Sequence, residues 1–211
     1  MNIRGIILEG FSNAGKTSLL RAIKRLQAED GAAESSVVVL GEHYSQILNL
    51  VRGSFVRLSR EEHLELLRSR VGMLKQLNEW AVQLGPHSRK SRGLFFVLER
   101  FHLNHRVAFA DADPAEITGI EEDLAALGGK CVLLTISPEV AEERIKSRVP
   151  AEWAGKPRDE IGQACRELLE TQEQLRAQAR MSKVATMEVN TDGKNWDELA
   201  RWIIARVDEQ E

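Results

Sequence analysis

Eight residues near the start of the chain restrict its possible folds more than any other stretch: Gly10-Phe-Ser-Asn-Ala-Gly15-Lys16-Thr17. They complete the pattern G-x-x-x-x-G-K-[ST], a phosphate-binding loop. Ile3 to Leu8 before it reads as a buried strand, and Leu19, Leu20, Ile23 and Leu26 behind it recur at helical spacing. The glycines let the backbone turn tightly and aim successive N–H groups at one anion, at the positive end of the following helix. Gly10, Ser12, Asn13, Ala14, Gly15 and Ser18 would form that cradle. Lys16 would reach the β- and γ-phosphates, and the Thr17 hydroxyl would ligate Mg²⁺. The ligand implied is a nucleoside triphosphate.

The 211 residues suit a single α/β domain with a small lid. A formal charge of -3 offers no electrostatic footprint for a nucleic acid polymer. Cys131 and Cys165 are too few for a disulfide scaffold and lie in apolar and helical text, which points to reduced thiols. No apolar run approaches the length of a membrane span, and the N-terminus lacks a signal-peptide pattern, so the expected location is cytoplasmic.

Further along, Asp30 to Ser35 reads as a loop, Ser36 to Leu40 as a second buried strand, and Ser45 to Val51 as a short helix. Ser59 and Glu62 have capping-box spacing at the head of a long helix with an apolar stripe of Leu64, Leu67, Val71, Leu74, Leu77 and Trp80 or Ala81. Gly85-Pro86 ends it, and His87 to Arg92 reads as a solvated basic loop. Leu94 to Leu98 is a third strand, and helical text covers Asn104 to Ala110 and Pro114 to Leu127. Cys131 to Ile136 is a fourth strand, followed by a helix with Ser137 as N-cap and Pro138 in its first turn. A Pro/Gly/Trp loop from Val149 to Pro157, a long helix from Arg158 to Met181, a weaker fifth strand from Val184 to Val189 and a closing amphipathic helix complete the chain. This alternation predicts a three-layer α/β/α fold around a five-stranded parallel sheet.

Ligands of such sheets bind beyond the carboxyl ends of the strands. Those ends carry Glu9-Gly10, Glu42-His43-Tyr44, Glu99-Arg100 and Asn190-Thr191-Asp192. The D-x-x-G and N-K-x-D motifs of GTPases are absent from the corresponding places, as is the L-S-G-G of transporter ATPases. What is left is a phosphotransferase whose acceptor lies over the sheet.

The chain resembles the thymidylate kinase and deoxynucleoside kinase branch of the P-loop kinases. The resemblance runs from Leu8-Glu9-Gly10 through Leu66-Leu67-Arg68-Ser69-Arg70 and Glu99-Arg100-Phe101. It continues through Ser137-Pro138-Glu139-Val140-Ala141 with Arg144 and Arg148, to Asn190-Thr191-Asp192. It implies that Glu99 organises Mg²⁺, and that Arg100 holds an acceptor or transferring phosphate. Arg144 and Arg148, spaced four apart on one helical face, would be lid arginines closing over the phosphates of ATP, with the lid at about 144–158. Arg70 would face the base of the acceptor, Asn190 and Asp192 would touch adenine, and a homodimer would form through the helices around Ser45 to Leu84.

The acceptor turns on Glu42. Thymidylate kinases carry an R-E-P-G-G-like segment after the second strand, and deoxynucleoside kinases E-P; here the text is Gly41-Glu42-His43-Tyr44. A monophosphate acceptor needs cations, whereas a hydroxyl needs a general base. The loss of the arginine, with the Glu99-Arg100 form of the later motif, favours a hydroxyl acceptor with Glu42 as base and Tyr44 against a ring. Three rivals stand beside that reading: a thymidylate kinase proper, an antibiotic phosphotransferase, and a regulatory P-loop ATPase without an acceptor.

Overall fold

Runs of β-branched and aromatic residues put apolar side chains on both faces of a sheet, and helices must then cover both. The computed structural model, which describes residues 3–29, 34–84, 91–110 and 112–208, has this form. Five parallel strands make up the sheet: β1 Ile3–Glu9, β2 Glu34–Leu40, β5 Ser91–Glu99, β6 Gly129–Thr135 and β7 Thr186–Asn190. Their order is β2-β5-β1-β6-β7, so the loop after β1 leaves from the middle of the sheet.

Alternate residues of the central strands feed two cores. Ile3, Ile7, Phe96, Leu98, Cys131 and Leu133 meet Leu64, Leu67, Val71 and Leu74 of α2 (Arg60–Leu84) and Ile117, Ile120 and Leu124 of α4 (Ala115–Ala126). Ile6, Leu8, Phe95, Val97, Val132 and Leu134 meet Leu19, Ala22 and Ile23 of α1 (Lys16–Glu29) and Ala200, Ile203 and Val207 of α8 (Trp196–Asp208). Between these lie α3 (His102–Ala108), α5 (Ala141–Arg148), α6 (Pro150–Trp153) and α7 (Arg158–Met181). Buried Gln172 fastens α7 to the end of β6: its amide accepts from the Ile136 N–H at 2.9 Å and donates to the Ile136 carbonyl at 3.0 Å. One side chain thus supplies the pairing that another strand would have made.

The capping box is present: Ser59 N–H donates to Glu62 at 2.7 Å and Glu62 N–H to the Ser59 hydroxyl at 3.2 Å. Four sequence expectations need correction. Ser45 to Val51 is not a helix: a 3₁₀ turn at Glu42–Tyr44 leads into a hairpin of β3 (Leu48–Val51) and β4 (Ser54–Arg57). Arg52 (φ 50°) and Gly53 (φ 82°) both take left-handed φ in its two-residue turn, as hairpin twist requires. Of the alternatives Trp80 and Ala81 at the end of the α2 stripe, Ala81 is half-buried and Trp80 is 60% exposed, so Trp80 leaves the stripe. The Ser137 side chain caps nothing and instead accepts a hydrogen bond from Asn190 at 3.2 Å, while Pro138–Val140 forms a 3₁₀ turn ahead of α5. Within the loop expected at 149–157, Pro150 starts the helical turn α6. The parts of the expected loops at 30–33 and 85–90, including Gly85-Pro86, lie outside the described residues; Ser91 and Arg92 begin β5. Among the described residues no helix is long and apolar enough to cross a membrane.

Candidate functional site

The loop between β1 and α1 folds as its glycines demand. Gly10 (φ 136°) passes so close to β6 that a Cβ there would fall 2.8 Å from the Leu134 carbonyl. At Gly15 (φ 98°) a Cβ would fall 2.2 Å from the Trp196 ring. Lys16 is buried and arches back over the loop, donating to the carbonyls of Gly10 (2.8 Å) and Phe11 (2.9 Å). Burial and the nearby Arg100 guanidinium lower its pKa to about 8, against the pull of Glu42, Glu9 and Glu99. The buried Thr191 hydroxyl donates to the Ala14 carbonyl (2.9 Å), with the Thr135 carbonyl 3.1 Å away, and so ties the loop to the ends of β6 and β7.

Arg100 forms the second fixed point. Its backbone is left-handed (φ 51°) and its N–H donates to the Leu8 carbonyl at 3.0 Å. The guanidinium donates to the Ser12 hydroxyl at 2.8 Å and pairs with Glu42 at 2.9 Å. Beside it the carboxyl of Glu99 is raised by burial, against Lys16, and raised further by Glu42. The Glu99 carbonyl accepts from the Ser45 hydroxyl.

Two cavities flank this frame. One, of about 350 Å³, is lined by Ser12, Asn13, Gly15, Lys16, Thr17, Ser18, Glu42, Arg100, Arg144 and Arg148. Ten residues singled out from the sequence therefore meet around one space, joined by Ser147, Lys194 and Trp196, which the sequence reading missed. The other, of about 320 Å³, lies between the loop, α3, the α5–α6 segment and α7. Its wall combines Glu9, Arg100 and Asn104 with Val107, Ile145, Trp153, Leu168 and Leu175, and Glu167 and Thr171 also line it. Ser12, Asn13 and Arg100 belong to both cavities.

Other expected site residues fall elsewhere. Glu99 and Ala14 line neither cavity, and Gly10 lines the second but not the first. Arg70 and Tyr44 line neither cavity: the Arg70 guanidinium lies 5.9 Å from the Tyr44 ring centroid and donates to the Tyr44 carbonyl at 3.2 Å. Asn190 and Asp192 also lie outside both, bonded to each other at 3.1 Å and to Ser137. Arg144 and Arg148 part company. Arg144 is buried, donates to the Thr191 carbonyl and lies 5.8 Å from the Trp196 ring centroid. Arg148 is exposed and reaches Asn13 at 3.4 Å. In sequence Trp196 reads as one more apolar residue opening an amphipathic helix; only the approach of α8 to Gly15 turns it into a wall of the cavity.

Glu9, which the sequence places at the end of β1 among the strand-end residues without assigning it a role, stands beside the loop. It is 1% exposed, and its Oε1 accepts from the N–H groups of Phe101 (2.8 Å) and Leu103 (3.0 Å). Burial lifts its pKa to about 7, against these bonds and Lys16.

No protein-family model matches the chain. It is similar to a probable thymidylate kinase of Archaeoglobus fulgidus, 28% identical over 152 residues that span 68% of this chain and 69% of that one. Its fold is similar to that of the YorR protein of Bacillus subtilis, whose crystal structure is a complex with phosphorylated GDP. The TM-score is 0.58 at 16% identity, over 97% of this chain and 95% of that one. The thymidylate kinase-like resemblance read from the sequence thus has a match over two thirds of the chain behind it, and the three-layer fold has one over nearly all of it.

Proposed function

We propose that the protein is a kinase that moves the γ-phosphoryl group of ATP to a nucleoside, a nucleotide or a similar small hydroxyl acceptor. One observation carries the reading: the cavity built on the phosphate loop and the cavity under α7 share Ser12, Asn13 and Arg100 as a common wall. A donor in the first and an acceptor in the second would meet at that wall. Similarity to a probable thymidylate kinase supports a nucleotide- or nucleoside-type phosphotransferase.

Phosphoryl transfer asks the protein for positioning and for charge on the equatorial oxygens. Lys16, now bonded to two loop carbonyls, would exchange them for the β- and γ-phosphates. Thr17 and the raised carboxyl of Glu99 are hard oxygen donors near Lys16 and fit Mg²⁺, which when bound neutralises phosphate charge. Arg100 would bind the transferring group from the wall itself, held in register by Ser12 and Glu42. Arg148 at the mouth would close with the segment at about 144–158, while Trp196 and the buried Arg144 shape the donor end of the cavity. The expected homodimer would use α2 together with the hairpin, whose Leu50 and Phe55 are exposed.

The test is coupled ADP release from Mg-ATP across nucleosides, nucleoside monophosphates and hydroxylated antibiotics, beside Lys16→Ala. Turnover on one of them that is lost in Lys16→Ala supports the kinase. Turnover on thymidine monophosphate alone selects the thymidylate kinase reading, which the Archaeoglobus relative favours. ATP binding with no turnover on any acceptor turns the reading to a regulatory ATPase.

A further inference from the structure

We propose that Glu9, not Glu42, takes the proton from the acceptor hydroxyl. The proposal rests on the kinase reading above and concerns its acceptor-side cavity. Glu42 lines the donor cavity but not the second one, and its carboxylate is engaged by Arg100 at 2.9 Å. Glu9 lines the second cavity, at the foot of the wall that both cavities share.

The carboxyl is held as a positioned base should be. The bonds from Phe101 N–H and Leu103 N–H both fall on Oε1, and the backbone N–H of Asn104 also acts on the carboxyl, so the start of α3 holds it in place. The charged and titratable groups around it are Lys16 from α1, His102 from α3 with Nδ1 at 3.8 Å, and Cys131 from β6. Arg100 and, from α7, Glu167 line the same cavity. Burial outweighs the pull of Lys16 and of the backbone donors and brings the carboxyl to about 7. A general base is most effective when its pKa lies near the working pH.

In the step, the acceptor oxygen bonds to the γ-phosphorus as the bond from that phosphorus to the β,γ-bridging oxygen breaks. ADP departs with the bridging electron pair, and the acceptor proton passes to the Glu9 carboxylate, which returns it to solvent.

Water entering the acceptor cavity serves as the probe acceptor, with phosphate release from Mg-ATP followed at enzyme excess between pH 5.5 and 8.5. Glu9→Gln retains an oxygen for both N–H groups, so the start of α3 keeps its partners. The expected result is a fall in release rate of about 10²-fold, with Mg-ATP affinity near wild type and a melting temperature no lower than that of wild type. The rate of wild type falls toward acid with a midpoint near 7, a limb that is missing in Glu9→Gln and kept in Glu42→Gln. Infrared spectra should show a protonated carboxyl band at pH 6 in wild type that is absent from Glu9→Gln. Retention of the rate in Glu9→Gln, loss of the acid limb in Glu42→Gln, or absence of the carboxyl band overturns the proposal. So does a rate lost together with ATP affinity and stability, which marks a structural cap. A protein that binds Mg-ATP but releases no phosphate also overturns it while leaving a nucleotide-binding role. One that binds no Mg-ATP removes the kinase reading itself and this proposal with it.

Discussion

The carboxyl of Glu9 and the imidazole of His102 lie 3.8 Å apart beneath the phosphate loop, both buried, and burial drives them in opposite directions. Glu9 rises to about 7 and His102 falls to about 4. Among the described residues neither ring nitrogen of His102 has a hydrogen-bond partner. At neutral pH the histidine is therefore uncharged and the carboxyl sits at its midpoint.

The pair predicts a specific pH dependence of stability. The pKa of Glu9 is higher folded than the roughly 4.3 of an unfolded chain, so the stability tied to its protonated form is lost as pH rises from about 4.3 through 7. The pKa of His102 is lower folded than the roughly 6.5 of an unfolded chain, so its contribution is lost as pH falls from about 6.5 through 4. Within the window they share the slopes oppose each other. Glu9→Gln should raise stability by about 1 kcal/mol near pH 5 and by about 3–4 kcal/mol at pH 8 in urea unfolding. Equal effects at the two pH values would refute the assignment.

The contact of Trp196 with Gly15 predicts an intolerant position. Alanine at Gly15 would place a methyl 2.2 Å from the indole and must hold φ at 98°. Gly15→Ala should therefore cost about 1–3 kcal/mol from backbone strain alone and displace Trp196 from the cavity wall. Thermal unfolding and Mg-ATP titration should both respond. A variant with wild-type melting and affinity would show that α8 does not press on the loop in solution.

The five strands and the long helices could be read in advance because each carries its own periodicity: three consecutive valines at Val37 to Val39, or the capping pair Ser59 and Glu62. The hairpin was hidden because its alternation covers only Leu48, Leu50 and Phe55, too short to compete with a helical reading. Arg52 also departs from the Asn or Asp usual before the turn glycine. The phosphate loop was legible because its chemistry is contiguous. Trp196 and Lys194 were not, nor was the role of Glu9 beyond its place at a strand end, since these depend on which helices approach the loop, and strand order decides that. Arg70 and Tyr44 show the reverse: they meet each other across 26 positions and miss both cavities.

At the head of α2 the reciprocal bonds of Ser59 and Glu62 satisfy two N–H groups that the first helical turn leaves without partners. Ser59→Ala should lower the unfolding free energy by about 1 kcal/mol without altering nucleotide affinity, since α2 supplies core residues and lines neither cavity. Chemical denaturation checks the first part and calorimetric titration the second; a change in affinity would tie α2 to the donor site.

Arg144 and Arg148 share a helical face in sequence but differ in burial, and that separates their roles. Arg144 is 5% exposed, its guanidinium bonds the Thr191 carbonyl, and Thr191 in turn holds the loop at Ala14. Removing it leaves a buried carbonyl without its donor, at a cost of about 1–3 kcal/mol, and loosens the loop. Arg144→Ala should therefore lose both melting temperature and Mg-ATP affinity. Arg148 reaches Asn13 at 3.4 Å from the exposed end of α5, so Arg148→Ala should melt as wild type does. If it closes over the phosphates, its loss should appear in the transfer rate, by about 10²-fold, and little in ground-state affinity. Parallel losses of stability and rate in both variants would refute the division.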